Sequence, residues 1–398
     1  MYFDFKDPQL RTDRFAYYRH FRENDPVHWT PHGYWVLFRY DDIDELLRSP
    51  DASSNFPANS DWARARGGPS SPVVRFTSKI MLLQDGAAHK RLRRVVGKVL
   101  SRRVVDQFRI RVPQIVTELL DAAGPGEVDV MSTMAMPLPV AVVCELMGVP
   151  SEMRPRFRAW TAPISQVIDR SVSPANLIEM NRLAPKFRAL CLELIRDARA
   201  APPVDTLISA MVHSLDDTGA PYTDDDIVAT VGMLFIAGHE TTINLIGNGL
   251  LALLRNPDAL SLLRANPDIM PTAIEELSRY DPSARFAARL LTSDVKIGGT
   301  PIPAGECVFV VFDSAGRDPD RYPNPDHLDL TRTGVKSLAF SAGPHACMGK
   351  TLATVEAGTL FTELLHRYRT IELASTNPPV QEHWHLQMLA SLPVRLTP

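Results

Sequence analysis

Cys347 carries the most informative chemistry in the sequence and lies in the run FSAGPHACMG at 340–349. An amphipathic helical pattern follows this run, so the thiol is predicted to lie at or just before a helix N-terminus. The exposed amides and the positive end of the helix dipole favour thiolate over thiol there. A single thiolate, with no CxxC pair and no second thiol nearby, disfavours tetrahedral zinc and iron–sulfur clusters and favours haem. Gly343 and Gly349 would let the backbone approach a flat, bulky group.

An isolated cysteine is more often a small buried hydrophobic residue than a ligand, but the whole run resembles the haem-binding loop of the cytochrome P450 family. That loop has the pattern Phe-x-x-Gly-x-His/Arg-x-Cys-x-Gly, and every specified position is present here. The resemblance implies that Cys347 binds the iron of haem b, iron protoporphyrin IX, through its thiolate. It also assigns neighbouring loop residues to the cofactor, namely Phe340, Gly343, His345 and Gly349.

A second motif, AGHETT at 237–242, lies inside a long apolar pattern that predicts a buried helix over 223–254. An acid inside such a helix is costly unless it has a partner or a role. Taken alone, Glu240 in an ion pair and Thr241 bonded to a preceding carbonyl would explain the motif equally well. The motif also resembles the Ala-Gly-x-Asp/Glu-Thr segment of the same family. The resemblance implies that Ala237 and Gly238 contact haem, that Thr241 supports the oxygen being activated, and that Glu240 supplies protons toward it. His239 is expected to pack or form a hydrogen bond.

Glu276 and Arg279 are three residues apart on a predicted helix and therefore share one face. Such a pair is usually a solvated contact of small value. The segment resembles the Glu-x-x-Arg helix of the family, which implies a buried, structural pair with a further contact before the cysteine loop; Glu275 is given no role. Downstream, SAGRDP at 314–319 resembles the family's Ala-Asn-Arg-Asp-Pro segment, with Gly316 in place of Asn. This departure is expected to affect only a local hydrogen bond.

Four basic residues match the family's contacts to the two haem propionates. His89 and Arg93 are four apart on a helix resembling Asp-x-x-x-His-x-x-x-Arg, and Arg289 and His345 match the other two contacts. The alternative for the helix residues is a solvated basic face. The other cations of this helix are expected at the surface, where they would suit docking of an acidic ferredoxin. These are Lys90, Arg91, Arg94 and Lys98.

Alignment with the family places mostly apolar segments over the distal face of the haem, which favours a hydrophobic or mixed organic substrate. The segments are 73–83, the region around 164–172, 233–241, 284–287 and 385–388. The predicted pocket residues are Leu82, Met233, Leu234, Ala284, Arg285 and Leu386. If Arg285 faces inward it could bind a carboxylate; an outward or structural role is the alternative that we favour.

Composition excludes several other classes of function. The chain has 398 residues, 45% of them hydrophobic, and a formal net charge of −3, so nothing indicates nucleic-acid binding. The polar and charged start, MYFDFKDPQLRTDRF, indicates neither a signal peptide nor a membrane anchor. Four widely scattered cysteines suit reduced thiols. We therefore expect a soluble, cytoplasmic protein without a membrane partner.

Helical patterns dominate from about residue 87, at 89–99, 104–122, 139–147, 155–168, 183–198, 223–254, 258–266 and 270–280. Short strand patterns occur at 34–38, 295–297 and 307–310. The expected fold is mainly α with a small antiparallel β portion. Length alone would suggest two or three domains. The family resemblance spans 10–396 and implies one P450-type domain, 1–398, with haem between two long helices. The irregular segment 51–72 is expected to be functional or mobile.

These features predict a haem-thiolate monooxygenase of secondary metabolism. It would insert one oxygen atom from O2 into a small or medium-sized organic substrate, with electrons from a ferredoxin and its reductase. The alternatives are a peroxide-driven haem-thiolate enzyme and a non-catalytic haem-binding or gas-sensing module. The intact Glu240-Thr241 pair argues against both. A zinc-binding structural protein is a more remote alternative, because Cys347 and His345 lack two further ligands at suitable spacing.

Overall fold

The computed structural model describes residues 1–157, 159, 172–381 and 385–398. Its helices are Gln9–Thr12, Arg14–Asn24, Tyr40–Arg48, Ser60–Arg64, Pro72–Thr77, Gly86–Val99, Arg102–Ala123, Pro137–Met147, Pro174–Ala200, Leu207–Val212, Asp224–Arg255, Pro257–Ala265, Met270–Tyr280, Phe312–Ala315 and Lys350–Arg367. Its strands are Val27–Thr30, Tyr34–Leu37, Ala52–Ser53, Gly126–Asp129, Phe286–Leu291, Val295–Ile297, Thr300–Ile302, Cys307–Val311, Thr370–Leu373, Val380–Gln381, Met388–Leu389 and Pro393–Thr397. The expectation of a mainly helical fold with a small β portion is confirmed.

The described chain packs as two compact units. The mixed unit comprises 1–53, 116–136 and 241–398, and the helical unit comprises 54–115 and 137–240. Every strand named above belongs to the mixed unit. The Asp224–Arg255 helix contributes its residues through 240 to the helical unit and the remainder to the mixed unit.

A five-stranded sheet lies at the centre of the mixed unit. Its strand order is Val27–Thr30, Tyr34–Leu37, Cys307–Val311, Phe286–Leu291 and Ala52–Ser53. All neighbouring strands are antiparallel except Tyr34–Leu37 and Cys307–Val311, which run parallel. Val308 and Val310 belong to one apolar cluster, whereas Phe309 and Val311 belong to another. Because side chains alternate along a strand, the sheet is buried on both faces.

The C-terminal strand Pro393–Thr397 is the middle strand of a second sheet. It pairs antiparallel with Gly126–Asp129 on one side and with Thr370–Leu373 on the other. Short antiparallel pairs also join Val295–Ile297 to Thr300–Ile302, and Val380–Gln381 to Met388–Leu389. The second sheet therefore links three segments that are distant in the sequence.

The segment predicted to be irregular, 51–72, forms short elements instead. Ala52–Ser53 pairs with the end of the Phe286–Leu291 strand, and Ser60–Arg64 is a short helix. Ser71 caps the next helix, Pro72–Thr77: its hydroxyl accepts from the Val74 amide and donates to the Arg66 carbonyl. Local capping therefore orders a stretch that lacks a hydrophobic period.

Most helix boundaries lie within two or three residues of the expected ones, and the helix Met270–Tyr280 and the strand Val295–Ile297 coincide with their expected bounds. The largest difference is at Pro174–Ala200, expected only from residue 183, where the helix continues through Pro185. The prediction of a helix over 155–168 falls mostly outside the described residues. No helix within the described ranges is long and apolar enough to span a membrane.

Candidate active site

Cys347 lies three residues before the Lys350–Arg367 helix, as its spacing predicted. Its backbone N–H donates to the Phe340 carbonyl over 2.8 Å, which closes the loop, and a one-turn 3₁₀ helix, Gly343–His345, precedes it. The Cys347 side chain is exposed. The loop therefore presents an accessible thiol close to the first free amides of a helix.

Gly343 has a structural task that the sequence did not reveal. Its φ is +65°, and a Cβ added there would lie 2.2 Å from the Leu47 carbonyl oxygen. The space beside Gly343 thus admits the backbone of the Tyr40–Arg48 helix, which differs from the expected reason for this glycine. Among the described residues, a Cβ at Gly349 would meet only the Cys347 sulfur, at 4.0 Å. Ser341 adopts φ 58° and ψ −175°, a region that strongly favours glycine, so the surrounding loop must hold it in place.

The Glu276–Arg279 pair is fully buried. The Arg279 Nε and Nη2 atoms each lie 2.7 Å from a Glu276 carboxylate oxygen. Glu276 also accepts from the Asp329 amide at 3.0 Å and from Arg332 Nε at 3.2 Å. Arg279 donates to three backbone carbonyls, those of Gly316, Pro325 and His327. The pair therefore fixes the segment before the cysteine loop.

Gly316, which replaces the Asn usual in the family, packs directly against the backbone of Arg279. A Cβ at Gly316 would lie 2.4 Å from the Arg279 carbonyl oxygen. The glycine at this position therefore has a steric reason. The difference from the family pattern involves packing against the Arg279 backbone and not only the local hydrogen bond that we expected to change.

The Asp224–Arg255 helix has one accessible stripe. Between Ile227 and Leu253, every residue is buried except 234, 236, 237, 238, 240 and 241. Leu234, Ala237, Gly238 and Thr241 follow the i, i+3, i+4, i+7 spacing of one helix face. Glu240 is half-buried at the edge of this stripe. The predicted catalytic and cofactor residues of this helix therefore coincide with its accessible part.

Other residues of this motif have packing roles. A Cβ at Gly238 would lie 3.1 Å from Val143 Cγ2, so the Pro137–Met147 helix occupies the space that this glycine leaves. His239 is buried, its Nδ1 bonds to the Phe235 carbonyl, and its ring lies 4.6 Å from the Phe235 ring. His239 thus has the packing and hydrogen-bonding role that we expected.

Several hydrogen bonds attach a loop to the C-terminal half of this helix. Ser283 Oγ donates to the Thr241 carbonyl at 2.7 Å. The Gln387 amide donates to the Ser283 carbonyl at 3.0 Å, and Asn248 Nδ2 donates to the Gln387 carbonyl at 3.1 Å. Two predicted pocket residues, Ala284 and Leu386, pair as an isolated β-bridge beside this network.

Arg285 contacts two buried residues of the mixed unit. Its Nη2 donates to the Tyr18 hydroxyl at 3.0 Å, and its Nε lies 3.5 Å from Asp313 Oδ2. Arg14 Nε lies 3.3 Å from the same Asp313 oxygen. Burial raises the pKa of the Asp313 carboxyl, and the two arginines oppose that shift. These contacts support the structural role that we favoured for Arg285.

The other predicted pocket residues belong to the helical unit. Leu82 is exposed, at 38%, whereas Met233 is buried, at 4%. Leu234 is half-buried on the accessible stripe. The pocket region around 164–172 lies almost wholly outside the described residues.

The four predicted propionate contacts are divided between the units. His89 is buried in the helical unit, where burial and then the Arg93 charge lower the pKa of its imidazole. In the mixed unit, Arg289 is buried and donates to the Ala288 carbonyl at 2.8 Å, and His345 is half-buried. A negative charge placed beside His89 would oppose this lowering of its pKa.

The predicted basic patch is smaller than expected. Arg91 Nη1 lies 2.9 Å from Asp226 Oδ2, and Arg91 Nε also bonds to Asp216. Arg94 pairs with Asp217. Arg91 therefore joins the Gly86–Val99 helix to the first turn of the Asp224–Arg255 helix and does not belong to a solvated patch. Lys90 and Lys98 are exposed, as expected.

The accessible Cys347 thiol just before a helix fits a cofactor whose metal takes a thiolate ligand. Comparisons with known proteins agree. The cytochrome P450 family model matches residues 175–397. Cytochrome P450 107B1 of Saccharopolyspora erythraea is 36% identical over 368 residues, 91% of this chain and 89% of that protein. The chain belongs to the cytochrome P450 family.

Further comparisons support the same family. The monooxygenase PikC of Streptomyces venezuelae is 34% identical over 395 residues, 96% of this chain and 91% of that protein. The crystal structure of CalO2 superposes with a TM-score of 0.91 at 30% identity, covering 100% of this chain and 99% of that one. This P450 is thus a haem b-dependent monooxygenase that acts on an organic substrate with O2 and a redox partner. The expected reaction class and secondary-metabolism setting are confirmed.

Sequence reasoning missed several residues that position the site of this P450. Ser283 and Asn248 carried no motif, and their partners are 42 and 139 residues away in the chain. Glu275 was given no role, yet it pairs with Lys350 next to the cysteine loop. The sequence contains no local signal for such distant pairs.

Proposed function

We propose that the Cys347 thiolate would hold the haem iron. The observation that carries this proposal is the accessible thiol on a loop closed by the Cys347–Phe340 backbone bond. When bound, haem supplies the chemistry of dioxygen activation, which a thiolate ligand promotes. The loop residues proposed to surround the ligand are Phe340, Gly343, His345 and Gly349.

The proposed catalytic residues are Glu240 and Thr241. Both belong to the accessible part of a helix that is mostly buried between Ile227 and Leu253. A half-buried carboxyl can hold a proton and release it toward a nearby hydroxyl. We assign proton delivery to Glu240, and to Thr241 a hydroxyl that receives and orients that proton. Ala237 and Gly238 are proposed to contact the haem from the same stripe.

We propose that His89, Arg93, Arg289 and His345 neutralise the two haem propionates. Charge-assisted hydrogen bonds from arginine to carboxylates are among the strongest in proteins. His89 would gain a proton beside a propionate, because the added negative charge opposes the effects that lower its pKa.

The proposed substrate is an apolar or mixed organic molecule that contacts Leu82, Met233, Leu234, Ala284 and Leu386. Similar proteins include 6-deoxyerythronolide B hydroxylase of Saccharopolyspora erythraea, and P450BioI, whose structure holds an acyl carrier protein ligated to hexadec-9Z-enoic acid. We therefore propose a macrolactone or a long acyl chain. Spectral titration of the haem-bound protein with a macrolactone, a fatty acid and a steroid would test this, because a substrate that binds beside the haem would shift the Soret band.

We propose a ferredoxin and its reductase as the electron source, with Lys90 and Lys98 on the docking surface. Exposed lysines attract an acidic protein, and salt screens that attraction. The chain is further proposed to act as one functional domain, 1–398, in the cytoplasm, without a nucleic-acid or membrane partner. A ferredoxin-dependent reduction rate that falls with added salt, and falls further in Lys90→Gln, would support the docking surface.

The deciding experiment is the spectrum of the reduced, carbon-monoxide-treated protein. We expect the red-shifted Soret band of a sulfur-ligated ferrous haem, and its loss in Cys347→Ala. Cys307→Ala is the matched control, since Cys307 is a half-buried thiol on a strand and should leave the band unchanged. Survival of the band in Cys347→Ala would overturn the assignment. Turnover with hydrogen peroxide, but none with O2 and an electron donor, would instead favour the peroxide-driven alternative.

A further inference from the structure

Lys350, the first residue of the helix after the cysteine loop, has two partners that no motif predicts. Its Nζ lies 2.7 Å from Glu275 Oε1 and 5.3 Å from the centre of the Phe340 ring. The Lys350 and Glu275 side chains are 41% and 25% exposed. The other Glu275 oxygen, Oε2, is buried and has no hydrogen-bond partner among the described residues. The Glu275 carboxylate therefore depends on Lys350 for its compensation.

These contacts hold the two ends of the cysteine loop together. Phe340 begins the loop and Lys350 follows it, so the lysine–ring contact joins the two ends beside the Cys347–Phe340 backbone bond. On the Met270–Tyr280 helix, Glu275 holds the downstream end of the loop while its neighbour Glu276 holds the upstream segment at Asp329. Two adjacent carboxylates on one helix thus fix both sides of the loop.

The two charges also act in opposite senses on any group bound at Cys347. Lys350 is three residues from Cys347, within one helical turn of it in sequence. One-electron reduction adds a negative charge to a metal centre, so a nearby cation favours the reduced form and a nearby anion disfavours it. Because the pair is partly exposed, solvent screens each charge only in part.

We propose that the Lys350–Glu275 pair tunes the reduction potential of the haem centre. The positive charge of Lys350 raises the potential, and the negative charge of Glu275 limits this rise. The proposal rests on Cys347 being the haem ligand. It gives a role to Glu275, the member of the Glu-Glu-x-x-Arg sequence that the family motif leaves without one.

The test is the reduction potential of the holoenzyme, measured by spectroelectrochemistry, in three variants. Lys350→Met keeps the aliphatic stem over Phe340 but removes the charge, and should lower the potential. Glu275→Gln keeps the shape but removes the anion, and should raise it. Each shift is expected to be at most about tenfold in the equilibrium constant, or about 59 mV for one electron. Lys350→Arg retains the charge and should restore the wild-type value.

Arg395 and Glu127 provide a charge-matched control. They form an exposed pair, 3.8 Å apart, in the three-stranded sheet. Arg395→Met and Glu127→Gln change the net charge by the same amounts, and neither should move the potential. A comparable shift in these controls would show that net charge alone is responsible and would overturn the proposal.

The signs of the shifts separate electrostatic tuning from a purely structural staple. If the pair only held the loop in place, both substitutions would loosen the loop. The reduction potentials of the two variants would then shift in the same direction or not at all, and this result would overturn the proposal. Glu275→Gln keeps the test decisive even if Lys350→Met loses haem, because a fall or no change in its potential contradicts the proposal. A wild-type protein without the sulfur-ligated carbon monoxide band would overturn the assignment of Cys347 itself, and this inference with it.

Discussion

The Ser283 hydroxyl donates a hydrogen bond to the backbone carbonyl of Thr241, with 2.7 Å between the two oxygens. Thr241 lies on the accessible stripe of the long Asp224–Arg255 helix, and its carbonyl would otherwise serve only the helical ladder. An added donor from outside the helix weakens that ladder locally, and such points allow side chains or water to enter. Ser283 thus acts on the backbone of a proposed catalytic residue.

We expect Ser283→Ala to lower the yield of product per electron consumed. The lost hydrogen bond is worth about 1 kcal/mol. If this free energy acts entirely on the step that forms product, the rate of that step falls by up to about fivefold. The substitution leaves the Thr241 and Glu240 side chains in place but removes the bond that positions their backbone. The measurement is the ratio of product formed to reduced nicotinamide consumed.

Ser278→Ala is the matched control for this prediction. Ser278 is buried and its hydroxyl donates to the Ile274 carbonyl at 2.7 Å, within the Met270–Tyr280 helix. This variant loses the same type of bond away from Thr241, so its stability should fall similarly while its product yield is unchanged. Equal yields in the two variants would contradict a specific role for Ser283.

Arg285→Ala is expected to reduce stability and leave substrate affinity unchanged. Asp313 is fully buried and relies on two arginines, Arg14 and Arg285. Removal of one partner of a buried ion pair costs about 3–5 kcal/mol, and the remaining carboxylate would have a still higher pKa. Because a raised folded-state pKa makes stability fall as pH rises, the loss should be larger in alkaline than in acidic buffer. Urea midpoints at several pH values and a spectral ligand titration measure both effects.

Arg285→Lys, which keeps a cation near Asp313, is the companion variant and should recover part of the stability. The interpretation differs if Arg285 binds substrate. In that case the alanine variant would bind ligand weakly at an unchanged urea midpoint, which would restore Arg285 to the pocket.

The parts of this site that could be predicted from the sequence are those encoded by neighbouring residues. The Cys347 loop and the 237–242 motif are contiguous, and their resemblance to the family pattern marked the residues of both. Residues 234, 237 and 241 also have the spacing of one helix face. Glu276 and Arg279 were also predictable as a pair because they are one turn apart. In each case the relevant geometry is that of a single element.

The parts that could not be predicted depend on contacts between distant segments. The sequence placed Arg91 on a basic helix face. In the structure, Arg91 pairs with Asp216 and Asp226, which are more than 120 residues later in the chain. The C-terminal strand Pro393–Thr397 shows no distinctive pattern in isolation, yet it joins two other strands. A side chain's partner across a tertiary contact leaves no periodic signal in the sequence.

Gly316→Ala should destabilise the protein although alanine is a better helix former than glycine. The new Cβ would lie 2.4 Å from the Arg279 carbonyl oxygen, a backbone atom that cannot rotate away. Overpacking of this kind costs about 1–3 kcal/mol, and the family's usual Asn at this position should cost more. Thermal unfolding of the haem-bound protein measures the loss.

Gly358→Ala provides the contrast for this steric argument. A Cβ at Gly358 would meet Met270 Cγ at 3.3 Å, and a methionine side chain can adjust. We therefore expect a small change of either sign. Equal losses in the two variants would show that backbone contact is not the cause at Gly316.

Glu356→Gln is expected to make stability less dependent on pH. Glu356 is buried in the Lys350–Arg367 helix, its Oε2 has no hydrogen-bond partner in the described part of the chain, and burial raises the pKa of its carboxyl well above the usual range. From the ordinary pKa of this group upward, the folded chain binds one more proton here than the unfolded chain does. The free energy of unfolding then falls by about 1.4 kcal/mol per pH unit until the folded-state pKa is reached. Glutamine carries no such proton, so the variant and the wild type should have similar stability in acid and diverge as pH rises, with the variant the more stable.

Urea unfolding midpoints across pH test this, with the exposed Glu372→Gln as the charge-matched control. Parallel curves for wild type and Glu356→Gln would mean that the buried carboxyl is ionised in the folded protein and has a compensating partner.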